Sequence, residues 1–463
     1  MKIEQLYTKC LSESAYYIES NNEVAIIDPL RDVDVYLDMA QKSGSTIKYI
    51  FETHFHADFV SGHLELAQKT GAKIVYGPLA EAHFDFYSAT DGEVFLIGDI
   101  SLTLLHTPGH TMESSCLLLK DNEGANHCVF TGDTLFVGDV GRPDLAVKSG
   151  DITQEDLAAY LFDSLRNKLM PLSDDIIVYP AHGAGSSCGK NIGSETYTTL
   201  GEQKATNYAL QDISKADFIS QVTEGLLAPP SYFFTDVMMN KKGGIHLDKV
   251  FSKNLNPLSY SEIKKLWNTD VILLDTRSPE VFATGFVKGS INIGLDGQYA
   301  PWVGALIDSG KSLLLICDRE REKESVMRLA RVGYENVVGY LDGGISAWQD
   351  KLTTIKNMSS EDIASTIKEQ GHQVLDVRKP GEVENGHLIG STSIRLQQLA
   401  VSLNSLDNSQ PIIVYCAGGY RSMMACSILS SNGFEEIINI KDGFDGLKNQ
   451  DVPLSDCITS CNN

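Results

Sequence analysis

Short apolar runs alternate with amphipathic stretches through the first half of the chain. Ala15–Glu19 and Val24–Asp28 flank the turn-forming residues 20–22, which predicts a β-hairpin. Residues 33–42 follow with apolar positions at helical spacing. This alternation of strand and helix patterns continues to about residue 235 and predicts a mixed α/β domain.

Four further apolar runs in this half each lead to side chains that can bind a metal ion. Short buried strands with polar residues in their C-terminal loops build binding sites at one edge of a sheet. Histidine offers a neutral nitrogen, and aspartate offers negative charge that offsets the cation. The runs are Ile47–Phe51 before His54, His56 and Asp58, Leu102–Leu105 before His110, Cys128–Phe130 before Asp133, and Ile176–Tyr179 before His182.

From about residue 255 the pattern changes and then repeats once. Leu274–Pro279 recurs as Leu375–Pro380, an offset of 101 residues that is the size of a domain. Strand and helix patterns alternate within each copy, which predicts two compact α/β domains with largely parallel sheets. Ser359 and the acidic residues after it predict the start of a helix in the second copy.

Length, composition and charge indicate a soluble globular protein of more than one domain and argue against some partners. A chain of 463 residues exceeds one ordinary domain, and 42% hydrophobic with 21% charged residues is typical of a soluble globular protein. We expect a cytoplasmic location, because no run approaches the ~18 apolar residues of a membrane span and the N-terminus lacks a signal-peptide pattern. A net charge of −23 argues against nucleic acid or an anionic membrane as partner.

The cysteines do not form a disulfide framework. The nine cysteines are an odd, scattered set without a CxxC pair. Cys457 and Cys461, near the C-terminus, are predicted to be free surface thiols.

The ligand-bearing motifs occur in a recognisable order over residues 1 to about 235. HxHxDF, TPGHT, TGD and PAHG resemble the metallo-β-lactamase superfamily, and the resemblance implies an αββα sandwich. In the two-metal hydrolases of that superfamily the first motif is HxHxDH, and its final histidine binds the second metal. Phe59 stands at that position here, and an aromatic ring cannot ligate. We therefore expect one metal ion.

Among the mononuclear members, the sequence most resembles the persulfide dioxygenases. The resemblance implies one Fe(II) held by His54, His110 and Asp133. A triad of this kind leaves room for both O₂ and a persulfide sulfur, whereas Zn²⁺ offers Lewis acidity without redox change. The residues by themselves leave iron and zinc open. The resemblance also implies that His56, Asp58 and His182 orient the ligands and water.

Two further residues of this domain are implicated by the same resemblance. Arg142, in Gly138–Asp144, would supply the cation that an anionic thiol metabolite needs; the alternative is a surface ion pair. Cys188 follows His182 in a stretch that resembles the rhodanese-fused branch of the dioxygenases. It lines the pocket or is a small buried thiol.

The second copy of the repeat carries a candidate sulfur-transfer loop. The apolar run 412–415 ends at Cys416, and a helical pattern follows from residue 423. A cysteine between a strand and a helix lies among backbone N–H groups, which lower a thiol pKa and stabilise an anionic persulfide. Arg421 adds fixed charge for sulfite or thiosulfate oxygens. The alternative is a buried structural cysteine.

The motif CxxGxRS in this loop resembles the rhodanese family over residues 358 to 455. The resemblance implies that Cys416 carries the sulfane sulfur. It also implies that Arg421 and the loop residues Gly418, Gly419 and Ser422 bind the anion.

The first copy diverges at the corresponding loop. Cys317 aligns with Cys416, but the glycines are missing and residues 318, 320 and 322 are acidic. A loop without glycine cannot easily aim successive amides inward, and nearby carboxylates raise a thiol pKa. We predict that this copy is inactive.

The whole chain resembles the rhodanese-fused persulfide dioxygenases. The predicted domains are a dioxygenase domain at 1–245, an inactive rhodanese-like domain at 255–356 and an active rhodanese domain at 358–457. The resemblance implies oxidation of a low-molecular-weight thiol persulfide by O₂ to sulfite, coupled to sulfur transfer at Cys416 between persulfide and sulfite or thiosulfate. Such an enzyme would act in sulfide detoxification.

Two rival interpretations stay open. A zinc-dependent thioester hydrolase of the glyoxalase II type shares the fold and most ligands, although Phe59 and the appended CxxGxRS domain count against it. A non-catalytic sulfur-relay scaffold with a vestigial metal site is the other. The residues also leave open the thiol carrier, the direction of sulfur transfer and the oligomeric state, a homo-oligomer included.

Overall fold

The computed structural model describes residues 1–147, 151–267, 270–369 and 371–455. The chain divides into two compact units, one formed by residues 1–250 with Leu329–Tyr334 and the other by the remainder from Phe251 onward. Cys457 and Cys461, the predicted free thiols, lie outside the described residues. None of the described helices is long and apolar enough to cross a membrane.

The first unit contains two six-stranded sheets, which confirms the predicted mixed α/β sandwich. One sheet has the order β1-β2-β3-β4-β5-β6 and the other β12-β11-β10-β9-β8-β7. The strands are β1 (Lys2–Thr8), β2 (Glu13–Ser20), β3 (Glu23–Ile27), β4 (Thr46–Phe51), β5 (Lys73–Tyr76), β6 (Tyr87–Ser88), β7 (Val94–Ile97), β8 (Ile100–His106), β9 (Ser115–Lys120), β10 (Asn126–Gly132), β11 (Ile177–Pro180) and β12 (Thr198–Thr199).

Helices cover the outer faces of these sheets. The predicted helix at 33–42 is observed at Asp34–Ser43. The helices up to the end of this unit are α1 (Asp34–Ser43), α2 (His63–Thr70), α3 (Gln154–Ser164), α4 (Leu200–Thr206), α5 (Lys215–Thr223), α6 (Tyr232–Lys242) and α7 (Leu247–Asn254).

Successive side chains along each strand point to opposite faces of the sheet. This alternation divides the apolar side chains between the core shared by the two sheets and the outer cores beneath the helices. On β2, Tyr16 and Ile18 face the core shared by the two sheets, whereas Ala15 and Tyr17 face the outer core that α1 and α2 cover. The same two-fold pattern along β9 and β10 places alternate residues in the inner core and in a second outer core beneath α3 and α5. Strands buried on both faces read as continuous apolar runs, as these do.

The chain after β4 forms no helix until α2 begins at His63. The amide of Val60 donates to the Arg331 carbonyl, and the amide of Ser61 donates to the Asn240 side chain. These non-local bonds satisfy the two backbone amides outside any helix. The residues between Phe51 and His63 therefore form a loop at the edge of the sheet.

The second unit contains two five-stranded sheets of the same topology, one for each copy of the repeat. The orders are β13-β17-β16-β14-β15 and β18-β22-β21-β19-β20. Every described strand pair in them is parallel, which confirms the expected parallel sheets. The strands are β13 (Pro257–Leu258), β14 (Val271–Asp275), β15 (Ile291–Asn292), β16 (Ser312–Ile316), β17 (Val337–Leu341), β18 (Lys356–Met358), β19 (Gln373–Asp376), β20 (Thr392–Ser393), β21 (Ile412–Tyr415) and β22 (Ile437–Ile440).

The helices of the two copies pack around their sheets. Ser359 caps the first helix of the second copy as predicted, since its hydroxyl accepts from the Asp362 amide. The helices are α8 (Tyr260–Trp267), α9 (Pro279–Thr284), α10 (Tyr299–Leu306), α11 (Glu322–Ala330), α12 (Ser360–Ile367), α13 (Pro380–Glu384), α14 (Leu399–Ser402), α15 (Tyr420–Ser431) and α16 (Gly443–Leu447).

Candidate metal centre and sulfur-transfer loop

Three of the predicted ligands meet at the strand ends of the first unit. The loops after β4, β8 and β10 bring His54, His110 and Asp133 together, with ligand atoms within 4.8 Å of one another. Asp133 Oδ2 lies 3.8 Å from His54 Nε2 and 3.4 Å from His110 Nε2. The three side chains are buried.

The donor atoms of this set fit a metal ion. His54 Nε2 and both carboxylate oxygens of Asp133 are buried without a hydrogen-bond partner. Leaving such atoms unsatisfied costs free energy, and a cation among them removes that cost. Two imidazoles and one carboxylate suit Fe(II) in a triad with open positions, and they also suit Zn²⁺.

Hydrogen bonds fix the ring orientation of His54. The Thr53 hydroxyl donates to Asp28 over 2.9 Å, so it accepts from His54 Nδ1, 3.0 Å away. The proton on Nδ1 leaves Nε2 with its lone pair toward the other ligands. Burial, together with the neighbouring histidines, holds the pKa of His54 well below its usual value, so the ring is neutral as a metal ligand must be.

The other ring nitrogens are held in the same way. His110 Nδ1 donates to the Arg142 carbonyl at 2.9 Å, and His182 Nδ1 donates to the Ser12 carbonyl at 3.2 Å. Both bonds direct Nε2 toward Asp133. Backbone carbonyls behind histidine ligands are a common way to set the tautomer.

His56 does not join the first set. Its Nε2 lies 3.0 Å from Asp28 and 3.4 Å from Glu52, and its ring stacks on Phe59 with 4.3 Å between centroids. Burial lowers the pKa of His56, but the two carboxylates outweigh it and raise that pKa well above the usual value. The ring thus belongs to an ion-paired network with Asp28 and Glu52, and a role of His56 in orienting the ligands stays a prediction.

A second ligand set lies directly beside the first. Asp58, His182 and Cys188 offer ligand atoms within 4.8 Å of one another, and all three are buried. His182 Nε2 is 3.4 Å from Asp58 Oδ2 and also 3.4 Å from Asp133 Oδ1. The two oxygens of Asp133 therefore face different sets.

Arg142 makes different contacts from those predicted. Its guanidinium forms a two-pronged ion pair with Asp144, at 2.6 and 2.7 Å, and donates to the carbonyls of Ser187 and Leu227. The side chain is buried. These contacts match a structural ion pair, and anion binding by Arg142 stays a prediction.

Asp28 and Glu52, the two carboxylates that contact His56, were not predicted from the sequence. Asp28 follows β3 as the ligands follow their strands, so its position at a strand end was the available signal. Glu52 contacts both His56 and His63. All three residues lie between the end of β4 and the first residue of α2, and their contact depends on the irregular path of that segment, which no sequence periodicity indicates.

In the second unit, Cys416 lies at the C-terminal end of the central strand β21 and is buried. The Gly419 amide donates to its sulfur over 3.2 Å. Gly419 has a φ of +89°, and a Cβ there would lie 2.0 Å from the Lys441 carbonyl oxygen, so only glycine fits. The loop thus aims an amide at the sulfur at the start of α15.

Arg421 is held by Glu382. The two side chains form a two-pronged ion pair at 2.6 and 2.7 Å. Although burial lowers the pKa of Arg421, this pair raises it above its ordinary value. Binding of an anion at Arg421 competes with Glu382 for the guanidinium.

The first copy has a different cysteine environment. Cys317 follows the central strand β16, as Cys416 follows β21, but its thiol donates to the Ser325 hydroxyl at 3.4 Å. Burial raises the pKa of Cys317 to about 12. The neighbouring Glu322 and Asp275 add smaller effects in the same direction, so burial is the main cause and the acidic loop the lesser one.

Comparisons with known proteins agree with this architecture. The chain matches the Metallo-beta-lactamase superfamily over residues 8–182 and the Rhodanese-like domain over residues 259–351 and 359–450. The crystal structure of a metallo-beta-lactamase from Staphylococcus aureus is similar to this chain: it is 33% identical, covers 73% of this chain and 98% of its own, and has a TM-score of 0.67.

Two further matches concern the first half of the chain. The probable hydroxyacylglutathione hydrolase of Schizosaccharomyces pombe is 33% identical over 34% of this chain, and the match spans 58% of the relative's own length. ETHE1 from Myxococcus xanthus is 29% identical, covers 53% of this chain and all of its own, and has a TM-score of 0.46.

Proposed function

This chain belongs to the metallo-β-lactamase superfamily and carries two rhodanese-like domains, and we propose that it joins a persulfide dioxygenase to a sulfurtransferase. The observation that carries the proposal is the convergence of His54, His110 and Asp133, whose buried donor atoms lack partners. The fused CxxGxRS loop supports sulfur as the element that both sites handle. The whole protein acts in sulfur metabolism in this account.

The proposed oxidation balances as RSSH + O₂ + H₂O giving RSH, sulfite and two protons. His54, His110 and Asp133 would hold iron(II), which would supply open coordination positions and the redox change that O₂ chemistry requires. The chain supplies the ligands, with Thr53 and the Arg142 carbonyl fixing the rings of His54 and His110. The three ligand side chains are buried, which shields their donor atoms from bulk water.

The proposed transfer step uses Cys416. Its thiolate attacks the outer sulfur of thiosulfate, the S–S bond breaks, and sulfite leaves with the bonding electron pair. The product is a Cys416 persulfide, stabilised by the Gly419 amide. Run in reverse, the same step consumes the sulfite made by the oxidation, so the two activities can be linked in either direction.

A zinc-dependent thioester hydrolase is the second candidate. The 33% identity to a probable hydroxyacylglutathione hydrolase favours it, and so does the second ligand set at Asp58, His182 and Cys188. Phe59 counts against it, since its buried ring stacks on His56 and offers no donor atom.

Anaerobic purification followed by metal analysis and two parallel assays separates the candidates. The proposal expects iron in the protein, O₂ uptake with glutathione persulfide and negligible hydrolysis of a glutathione thioester. Full zinc occupancy with thioester turnover and no O₂ uptake would contradict the dioxygenase proposal. Reconstitution of the same apoprotein with iron or with zinc is the matched control, because only the metal differs.

A further inference from the structure

We propose that Asn240 and Arg331 are positioning residues of the metal centre, because together they fix the backbone that follows the ligand His54. Both lie outside residues 8–182, which match the metallo-β-lactamase superfamily. Arg331 lies within residues 259–351, which match the rhodanese-like domain. Leu329–Tyr334 nevertheless belong to the same compact unit as the metal centre. Support for the metal centre therefore comes from parts of the chain that the superfamily match does not cover.

The loop between β4 and α2 needs this support because its residues are buried outside any helix. Its first part is held by carboxylates of the matched region. The Thr53 amide donates to Asp28 at 2.7 Å, and the Phe55 amide donates to Glu113 at 3.1 Å. The backbone groups of the following part are buried too, and buried amides and carbonyls require partners.

Asn240, on α6, satisfies three of these backbone groups with one side chain. Its Oδ1 accepts from the Ser61 amide at 2.8 Å. Its Nδ2 donates to the carbonyls of His56 and Phe59, each at 2.8 Å. The residue is 2% exposed. A primary amide offers one acceptor oxygen and two donor hydrogens, so an asparagine side chain matches all three groups at once.

Arg331 holds the same loop through its main chain. Its carbonyl accepts from the Val60 amide at 2.7 Å. Its guanidinium forms a two-pronged ion pair with Asp32, at 3.0 and 2.8 Å, which anchors the residue to the chain after β3. Gly333 has a φ of +72°, and a Cβ there would lie 2.4 Å from Asp236 Oδ1, so the turn after Arg331 fits closely against α6.

His54 is the metal ligand that depends on these contacts. The carbonyl of His56, which Asn240 holds, lies only two residues further along the chain. Without Asn240, three buried backbone groups lose their partners, and the loop recovers partners only by moving. Such a movement displaces His54 Nε2 relative to the other two ligands. A metal ion binds most tightly when its donor atoms are held in place beforehand.

Titration of the full-length apoprotein with Co²⁺ tests the proposal without an activity assay. The visible absorption of bound Co²⁺ depends on the number and arrangement of its ligands. Asn240→Ala should weaken Co²⁺ binding about 10- to 100-fold and alter this spectrum, since losing a group that holds a metal ligand has effects of this size. Asn240→Asp keeps the shape and the acceptor but loses both donors, so it should not restore the binding.

Arg331→Met should also weaken Co²⁺ binding, but by a smaller factor than Asn240→Ala. The substitution breaks the ion pair with Asp32 and leaves the main-chain carbonyl in place. If Asn240→Ala does not fold, Asn240→Asp and Arg331→Met carry the test.

Asn292→Ala is the matched control. Asn292 is 1% exposed and belongs to the other unit, where its side chain donates to the carbonyls of Asp275 and Arg277 at 3.0 and 2.9 Å. The control should lower the unfolding temperature, as Asn240→Ala does, but keep the wild-type affinity for Co²⁺ and the wild-type spectrum. The comparison separates loss of positioning from a general loss of stability.

A folded Asn240→Ala or Asn240→Asp variant with wild-type affinity and spectrum would overturn the proposal. Unchanged binding in Arg331→Met would remove Arg331 from it. Circular dichroism of each variant checks the fold.

The inference rests on the metal centre of the proposed function, but not on the identity of the metal or on the reaction. A wild type that binds no Co²⁺ would overturn both proposals. Weaker binding in Asn240→Ala, in a protein whose iron form takes up no O₂, would remove the dioxygenase activity alone.

Discussion

The Tyr420 hydroxyl donates to the Gly294 carbonyl over 2.6 Å and so connects the sulfur-transfer loop to the first rhodanese-like copy. Tyr420 is the first residue of α15, directly after Gly419 and directly before Arg421. A Cβ at Gly297 would lie 2.4 Å from the Tyr420 ring, so the ring rests on this glycine. The copy with the altered cysteine loop therefore packs against the candidate sulfur-transfer loop of the other copy.

Replacing Gly297 with alanine should impair sulfur transfer, because the added methyl group pushes Tyr420 and the loop before it away. We expect turnover of thiosulfate to fall about 10- to 100-fold, as small displacements of catalytic groups do. Tyr420→Phe removes only the hydrogen bond, worth about 1 kcal/mol, and should have a smaller effect. Unchanged turnover in Gly297→Ala, with the pH profile of Cys416 alkylation also unchanged, would show that the contact has no positioning role.

Cys416 and Cys317 should differ in reactivity. Burial raises the pKa of Cys317 to about 12, so this thiol stays protonated at neutral pH and reacts slowly with iodoacetamide. Cys416→Ser should abolish sulfur transfer, and Cys317→Ser should leave it within about 2-fold of the wild type. Mass spectrometry of the alkylated protein locates the labelled thiol, and the reverse pattern would transfer the role to Cys317.

Glu382→Gln should strengthen anion binding at the loop. The carboxylate of Glu382 now neutralises Arg421, and the amide keeps a similar shape without the charge. Because Glu382 is partly exposed, the pair is worth at most about 1 kcal/mol, and the KM for thiosulfate should fall by up to about 5-fold. A higher KM would mean that Glu382 mainly orients Arg421 for the substrate.

His110→Ala should stop O₂ uptake with persulfide and leave sulfur loading of Cys416 intact. The imidazole of His110 is one of three proposed metal ligands, whereas Cys416 belongs to the other unit. An O₂ electrode and mass spectrometry of the Cys416 persulfide measure the two activities separately. Loss of both in a folded variant would argue against two separable sites.

The convergence of the candidate metal-binding residues could be predicted because these residues follow buried strands. His54, His110, Asp133 and His182 each come a few residues after an apolar run, and the edge of the sandwich is where such ends meet. The repeat likewise predicted two parallel sheets, since strand and helix patterns recur at a fixed offset. These features depend on local periodicity, which the sequence displays directly.

The features that escaped prediction depend on loops that fold against one another. Cys188 joins Asp58 across 130 residues of sequence, and its place is set by bonds to Arg142 and Ser186. The guanidinium of Arg142 is occupied by Asp144 and by two carbonyls that no sequence pattern indicates. The contact of Tyr420 with Gly294 requires two domains to be packed together.

The ratio of O₂ consumed to the sum of sulfite and thiosulfate formed, measured on iron-loaded and zinc-loaded protein with glutathione persulfide, tests the central claim most directly. Because transfer at Cys416 converts sulfite to thiosulfate one for one, the account predicts one O₂ for each sulfite or thiosulfate formed with iron at His54, His110 and Asp133, and no O₂ consumption with zinc. Sulfite formation without O₂ uptake, or turnover of a glutathione thioester by the zinc form alone, would contradict it.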